Sequence, residues 1–310
     1  MNKKVLVLFF SAVIFLHPSF ALSECGKIYF LTGIYFEPTP FIGDVVPPDS
    51  RGLSLGLTQT IFHELVNSLK KDSDSLLVIG PNIISDSSLK SVISINLFFD
   101  TLSVIKNKLI LLINFKERNI DVESNISRSG LIENKKNLFY KTYCSYLVIS
   151  FIENPNENFN DQIAALKSIL INNKDQRIIL FLEKSFYDNE GVLKSGLSEN
   201  DRLLLDFIMH NKAIKLVLSG NNIASRMFSV DNQYFLQAPN VSIYPCKFAE
   251  IALYENQIDI NMRQVPLRSI VKILEKNIVN LNASDLNIKN KGLVKYLDNN
   301  FKKNKYTISF

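Results

Sequence analysis

The sequence predicts an α/β fold in which two β-sheets pack face to face between helices, a four-layer α/β/β/α sandwich. Short runs of Ile, Leu and Val alternate with segments of helical period, which is typical of strands covered on both faces. From Tyr234 onward strand-like segments follow one another without helices, which suggests a second sheet packed on the first. A chain of 310 residues, 46% hydrophobic and 21% charged, is sufficient for one globular domain with a large core.

The elements of the predicted domain, residues 24–266, follow from period and composition. Leu57, Ile61 and Leu65 recur every fourth residue and predict an amphipathic helix, whereas the run RIILFL at 177–182 predicts a buried strand. On these criteria strands are predicted at residues 27–32, 74–80, 108–113, 145–152, 177–182, 214–219, 234–238, 248–254 and 257–264. Helices are predicted at residues 54–71, 87–106, 160–173, 198–211 and 267–278. Residues 114–140 show no clear period.

The first residues predict export. Lys3 and Lys4 precede an apolar run at residues 5–16 that is too short to cross a bilayer, and small residues follow near Ala21. We therefore interpret residues 1–23 as a cleaved signal peptide and expect a secreted or periplasmic protein. The remaining cysteines are odd in number, and their spacing leaves open whether two of them pair or all three are buried thiols: Cys25, Cys144 and Cys246.

The chain beyond the predicted domain, residues 267–310, is expected to form a helix followed by a basic, solvated tail. A formal charge of +5 for the whole sequence is too small to imply a nucleic-acid partner. Contact with a membrane is expected only through the tail, whose lysines would face anionic lipid. These lysines are Lys289, Lys291, Lys295, Lys302, Lys303 and Lys305.

Chemistry in α/β folds gathers in the loops at the carboxyl ends of strands. Five such ends read LTGIY at 31–35, VIGPN at 78–82, INFK at 113–116, FLEK at 181–184 and LSGNNI at 218–223. Their order and flanking strands resemble the calcineurin-like metallophosphoesterase superfamily, and within it the acid-sphingomyelinase-like branch. The resemblance covers about residues 27–264 and implies the sandwich fold and a di-metal phosphoesterase site.

The matched ligand positions depart from the family pattern. The family's five loops carry Asp-x-His, Gly-Asp, Gly-Asn-His, a single His and Gly-His-x-His. In this chain the position of the catalytic His is Phe115. The matched metal-ligand positions are occupied, in chain order, by Gly33, Tyr35, Asn82, Asn114, Glu183, Asn221 and Ile223.

This set of side chains is too neutral to hold two divalent cations. Two dications about 3.5–4 Å apart need an anionic bridge and several charged or imidazole ligands. Only Glu183 is charged among the matched positions, and the neighbouring Lys184 opposes a cation. We therefore expect no cofactor and no di-metal centre. A single weakly held Mg²⁺ or Ca²⁺ on Glu183, Asn82, Asn114 and water is the alternative.

Other catalytic patterns are weak in this sequence. It contains three histidines, and the HELVN segment at His63 lacks the second His of an H-E-x-x-H zinc site. No G-x-S-x-G nucleophile elbow occurs. The sequence therefore predicts an exported pseudoenzyme that binds or scaffolds an unknown protein or small molecule, with no confident catalytic residue. Two alternatives stay open: an active phosphoesterase with a non-standard site, and an unrelated secreted α/β binding protein.

Overall fold

Two six-stranded mixed sheets pack against each other and are flanked by helices, as the sequence predicts. The protein is represented by a computed structural model, which describes residues 23–34, 58–72, 75–80, 91–111, 138–188, 191–222, 225–242, 246–267, 272 and 305–310. The predicted signal peptide, apart from Ser23, and nearly all of the predicted helix at 267–278 lie outside the described residues.

The elements have the following bounds. The strands are β1 (Gly26–Leu31), β2 (Ser75–Ile79), β3 (Leu109–Leu111), β4 (Leu138–Tyr143), β5 (Tyr146–Phe151), β6 (Arg177–Leu182), β7 (Ile214–Asn222), β8 (Arg226–Val230), β9 (Gln233–Pro239), β10 (Lys247–Tyr254), β11 (Gln257–Gln264) and β12 (Lys305–Ser309). The helices are α1 (Thr58–Leu69), α2 (Ser91–Leu102), α3 (Phe159–Asn172) and α4 (Glu199–His210), and a 3₁₀ segment, Ser103–Lys108, follows α2.

The closing strands do not form a sheet of their own, which corrects the sequence-based expectation. The first sheet has the order β12-β11-β10-β1-β2-β3, and the second has the order β4-β5-β6-β7-β9-β8. β9 joins the second sheet parallel to β7, whereas β10 lies antiparallel to both β1 and β11 in the first. Nearly every residue of β10 is buried, as a central strand requires.

Three strands were not predicted, and each lies at or near a sheet edge. β4 has no buried residue: three of its six residues are exposed and three are half-buried. β8 forms a hairpin with β9 through Asp231 and Asn232, which both have positive φ, as type I′ turns require. β12 lies beyond the predicted domain boundary at 266, inside the segment expected to be a basic tail. Its Tyr306 and Ile308 alternate with exposed residues and are buried in the core.

The described core includes a layer between the sheets and a layer beneath α3 and α4, and α1 and α2 also bury apolar side chains such as Phe62 and Phe98. Ile28 and Phe30 of β1 and Phe181 of β6 belong to the layer between the sheets, where the rings of Phe30 and Phe181 are 5.0 Å apart in an edge-to-face arrangement. The opposite face of the second sheet packs against α3 and α4, through Leu166 and Leu204 among others. None of the described helices is long and apolar enough to span a bilayer.

A disulfide joins the start of β1 to the second sheet. Cys25 pairs with Cys144 in the β4–β5 turn, with 5.9 Å between their Cα atoms. Tyr143 reinforces this contact, since its hydroxyl accepts from the Lys27 amide at 3.2 Å and lies 3.3 Å from the Lys27 carbonyl. Cys246 is the free cysteine and is fully buried, and burial raises the pKa of its thiol to about 12. The pairing that the sequence left open is therefore Cys25–Cys144.

Removing this disulfide should destabilise the fold. It closes a loop of 119 residues, and cross-links over long loops typically contribute about 2–4 kcal/mol by restricting the unfolded chain. We expect Cys25→Ser/Cys144→Ser to lose about that amount in urea unfolding. Dithiothreitol should lower the stability of the wild type to the same level and leave the double variant unchanged. An equal effect of the reductant on both proteins would contradict the assignment.

Candidate functional site at the strand ends

The carboxyl ends of four strands, two from each sheet, meet around Thr32. Thr32 directly follows β1 and pairs with Asn240, which directly follows β9, so this pair links the two sheets. The Val241 amide donates to the Thr32 carbonyl at 2.8 Å, and the Thr32 hydroxyl donates to the Pro239 carbonyl at 3.2 Å. We call this region the strand-end junction and define it as Thr32, Gly33, Gly80, Gly220 and Asn240.

The strand-end junction is closely packed around the Thr32 side chain. A Cβ atom on Gly220 of β7 would lie 2.5 Å from Thr32 Cγ2, and one on Gly80 after β2 would lie 2.9 Å from the same atom. Real Cβ atoms do not approach other atoms so closely, so both positions require glycine. The space between the sheets at this point is therefore filled by a threonine methyl group.

Gly33 is held where no side chain fits. Its φ is +58°, a conformation that glycine adopts without strain, and its carbonyl accepts from the Ser242 amide at 3.2 Å. A Cβ atom here would lie 2.1 Å from Asn240 Oδ1. Gly33 is the position matched to the first metal-binding Asp of the family, and a carboxylate at this position would collide with Asn240.

Three of the predicted site positions lie at this edge of the molecule. Gly33 is part of the strand-end junction, and Asn221 directly follows Gly220 in β7. Glu183 directly follows Leu182 of β6, which pairs with Ser219 of β7, and its side chain is half-buried. The other predicted positions lie outside the described residues: Tyr35, Asn82, Asn114, Phe115 and Ile223.

Sequence reasoning missed Thr32 and Asn240. The family pattern directs attention to Gly33, one residue later, whereas the side chain between β2 and β7 belongs to Thr32. The alternation of side chains along a strand could have indicated Thr32. Ile28 and Phe30 face the other sheet, and Thr32, two residues further on, lies on the same face. Nothing local to Asn240 indicates its pairing with a residue 208 positions away.

Charged side chains cluster beside the strand-end junction, at the ends of β5 and β6. Lys184 Nζ lies 2.8 Å from Asp201 Oδ1 and 3.3 Å from Glu153 Oε2. Asn200 Nδ2 donates to Glu153 Oε1 at 2.6 Å, and the Ser198 hydroxyl donates to Asp201 Oδ2 at 2.7 Å. We call Lys184, Glu153 and Asp201 the Lys184 ion cluster. Its one ammonium group pairs with both carboxylates, so the three side chains together carry a formal charge of −1.

The ion cluster shifts the pKa values of its members. Burial alone would raise the pKa of Asp201, but hydrogen bonds from Lys184 and Ser198 and the Lys184 charge outweigh burial and hold it below its usual range. Burial would lower the pKa of Lys184, but Asp201 and Glu153 hold it above its usual value. A cavity of about 20 Å³ is lined by the three members of the cluster, by Glu183 and by apolar side chains such as Phe151 and Phe159. It has room for a water molecule and none for a phosphoester substrate.

The described residues do not fit a di-metal centre. Within the described part of the chain, no group of three or more His, Cys, Asp or Glu side chains is placed to hold a metal ion. Thr32 and Asn240 offer neutral oxygens only. His63 and His210 lie on different helices, with the His63 Nε2 3.4 Å from the Thr101 hydroxyl and the His210 Nδ1 2.8 Å from the Asp206 carbonyl.

Solved structures share this fold at low sequence identity. A dimetal phosphatase from Danio rerio superposes with a TM-score of 0.57 and 11% identity, over 78% of this chain and 97% of that one. The Plasmodium protein GAP50, whose structure is described as the anchor in the inner membrane complex, superposes with a TM-score of 0.51 and 12% identity, over 79% and 86%. No family model and no curated protein matches the sequence. The chain therefore has the α/β fold of metallophosphoesterases.

The packing of Gly33 against Asn240 predicts an unusual sensitivity to a single methyl group. Gly33→Ala should destabilise the protein by about 2–4 kcal/mol in urea unfolding, since it combines a positive φ with overpacking. In an Asn240→Gly background the overpacking is removed. Gly33→Ala should then lower the free energy of unfolding only by the strain of placing alanine at a positive φ, about 1 kcal/mol. Gly196→Ala is the matched control, because nothing lies within 4 Å of its Cβ position. Equal costs at positions 33 and 196 would contradict the packing.

The charge of Asp201 should contribute to stability in a pH-dependent manner. The folded-state pKa is lowered, so the stabilisation is present above the unfolded-state pKa and is lost as the pH falls through the folded-state value. We expect Asp201→Asn to be less stable than the wild type by about 1 kcal/mol at pH 7, with the difference closing below about pH 4. Asp206→Asn removes an exposed carboxylate of the same helix and should have little effect. A difference independent of pH would show that Asp201 acts through packing alone.

Proposed function

We propose that the protein is an exported member of the metallophosphoesterase superfamily that has lost the di-metal centre and acts by binding or scaffolding. Within the superfamily we propose the acid-sphingomyelinase-like branch, which the order of the strand-end loops resembles. The observation that carries the proposal is the strand-end junction, which is neutral and filled by the Thr32 and Asn240 side chains. The residues of the junction, which follow β1, β2 and β9 or lie in β7, carry no charge.

The sequence outside the described residues supports the same conclusion. Tyr35, Asn82, Asn114, Phe115 and Ile223 bring no carboxylate and no imidazole to the matched positions. Glu183 is then the one charged residue of the matched set, and a single carboxylate does not balance two dications. The proposal therefore includes no resident metal and no catalytic residue. Its ligand is a protein or a small molecule and not a nucleic acid, because the net charge is small.

A role in binding is supported by one of the structural neighbours. GAP50 has the same fold with a TM-score of 0.51, and its structure is described as that of an anchor. A fold shared at 12% identity carries no function by itself, but a neighbour described as an anchor is consistent with the binding role that we propose. Membrane contact of the present chain is proposed only for the lysines beyond residue 288.

Export is supported by the disulfide. Structural disulfides form and persist in oxidising compartments, and Cys25–Cys144 begins two residues after the proposed signal peptide at 1–23. We accordingly propose a secreted or periplasmic location. The mature chain would begin near Glu24, immediately before the cysteine that fixes β1.

The alternative function is a phosphoesterase with a non-standard site. The observation that favours it is the likeness to a dimetal phosphatase at a TM-score of 0.57. In that case Glu183, Asn82 and Asn114 would be the residues to hold a metal, as a single Mg²⁺ or Ca²⁺ with water. The third possibility, an unrelated secreted α/β binding protein, would have been favoured by the absence of two stacked mixed sheets, and the structure has both sheets.

Metal content and turnover of the mature chain test the proposal directly. We expect far less than one equivalent of Mn, Fe or Zn after purification, no saturable binding of Mg²⁺ or Ca²⁺ in calorimetry, and no hydrolysis of bis(p-nitrophenyl) phosphate or p-nitrophenyl phosphate above the blank. The Danio rerio dimetal phosphatase, assayed in parallel, is the positive control. Stoichiometric metal with turnover that Glu183→Gln abolishes, while the fold stays intact, would replace the proposal with the alternative.

A further inference from the structure

A second concave surface lies between α4 and the loop that precedes it, and it shares no residue with the strand-end junction or the Lys184 ion cluster. It is an open groove of about 450 Å³. We call it the α4 groove. Its apolar and cationic lining consists of Leu193, Leu197, Leu205, Met209, Lys194 and Arg202.

Both walls of the α4 groove are fixed before any ligand arrives. In the loop wall, Leu193 pairs with Tyr187, the Lys194 amide donates to the Phe186 carbonyl at 3.0 Å, and Lys194 Nζ donates to the Ser185 carbonyl at 2.9 Å. The helical wall is held by a capping box at Ser198 and by core side chains on the opposite face of α4. A ligand would therefore bind without ordering the groove, which favours affinity.

The helical wall presents a single stripe. Arg202, Leu205, Asp206 and Met209 follow the spacing i, i+3, i+4 and i+7, so they lie on one face of α4 over a length of about 10 Å. On the opposite wall the Leu193 side chain is 50% exposed. Two turns of a second helix, with apolar residues at the same spacing, match the length and the apolar floor of this groove.

The charges at the rim indicate what such a helix would carry. Among the described residues, the Arg202 side chain has no hydrogen-bond or ion-pair partner, and its guanidinium can bind a carboxylate through two parallel hydrogen bonds. Lys194 adds a second positive charge on the other wall, whereas Asp206 lies 3.3 Å from His210 Nδ1 at the far end. The groove is therefore complementary to an acidic residue placed beside apolar ones.

We propose that the α4 groove binds a short amphipathic helix of a partner protein, with apolar side chains over Leu205 and Met209 and a carboxylate on Arg202. The inference rests on the binding role proposed above and assigns that role a surface. It does not depend on the state of the strand-end junction, because no metal or substrate is involved at the groove.

Selection from a phage-displayed library of helical peptides on the immobilised mature chain, with EDTA present, tests the proposal. We expect the selected peptides to share apolar residues at i, i+3 or i+4 and i+7 with at least one Asp or Glu. Their affinity, measured by fluorescence anisotropy, should fall at least tenfold for Arg202→Glu and for Leu193→Asp. Exchange of the peptide's acidic residue for Lys should restore binding to Arg202→Glu.

Leu203→Asp is the matched control, because Leu203 is 43% exposed on the same helix but does not line the groove. Its affinity should stay within twofold of the wild type, and all three variants should unfold at similar temperatures. Peptides that bind Arg202→Glu and Leu193→Asp as tightly as the wild type, or a selection without binders, would overturn the proposal. A dimer in sedimentation that Leu193→Asp dissociates would assign the groove to a second copy and would also overturn it. Failure of the proposed function would be seen separately, as bound metal and turnover.

Discussion

β1 is fixed to the second sheet at both of its ends, and the rest of the structure depends on this arrangement. At its start the Cys25–Cys144 disulfide and the Tyr143 hydroxyl hold it to the β4–β5 turn. At its end Thr32 pairs with Asn240 after β9. Between these points Ile28 and Phe30 face the other sheet and are fully buried. The two attachments of β1 therefore fix the distance between the sheets along this strand, and the core side chains pack in the space between them.

The same arrangement determines the chemistry available at the strand ends. Because β1, β2 and β7 converge on Thr32, the neighbouring positions accept only glycine, and the centre is occupied by hydrocarbon. A carboxylate at this point would destabilise the fold, because it would lose its hydration without gaining a compensating charge. The carboxylates of Glu153 and Asp201, at the ends of the neighbouring strands, are both paired with the single ammonium group of Lys184. At the described strand ends, the side chains of Thr32 and Asn240 therefore offer only neutral oxygens, and the neighbouring carboxylates already have a cationic partner.

Most of the central elements could be predicted from the sequence. Buried strands such as β6 and β11 were placed with their observed bounds, because they consist of β-favouring apolar runs or alternate regularly. The strands that were missed, β4, β8 and β12, are edge strands, and each contains polar or charged residues that interrupt its apolar ones. Of the site, the sequence predicted where the loops at the strand ends lie, and Gly33, Asn221 and Glu183 are at this edge of the sheets. The contacts of Thr32 with Gly80, Gly220 and Asn240 join residues far apart in the chain, and no local pattern records them.

The way the chain is divided between the sheets has a consequence for the order of folding. The second sheet and its two helices come from one continuous stretch, residues 138–239, whose strands need only neighbouring segments to pair. The first sheet joins segments from both sides of that stretch: β1 can pair with the nearby β2, but its other edge pairs with β10, which follows it by more than 200 residues. Loop closure over such distances is slow compared with local pairing. We therefore expect the second sheet to form first. The first sheet, whose strands come from both ends of the chain, would then assemble against it.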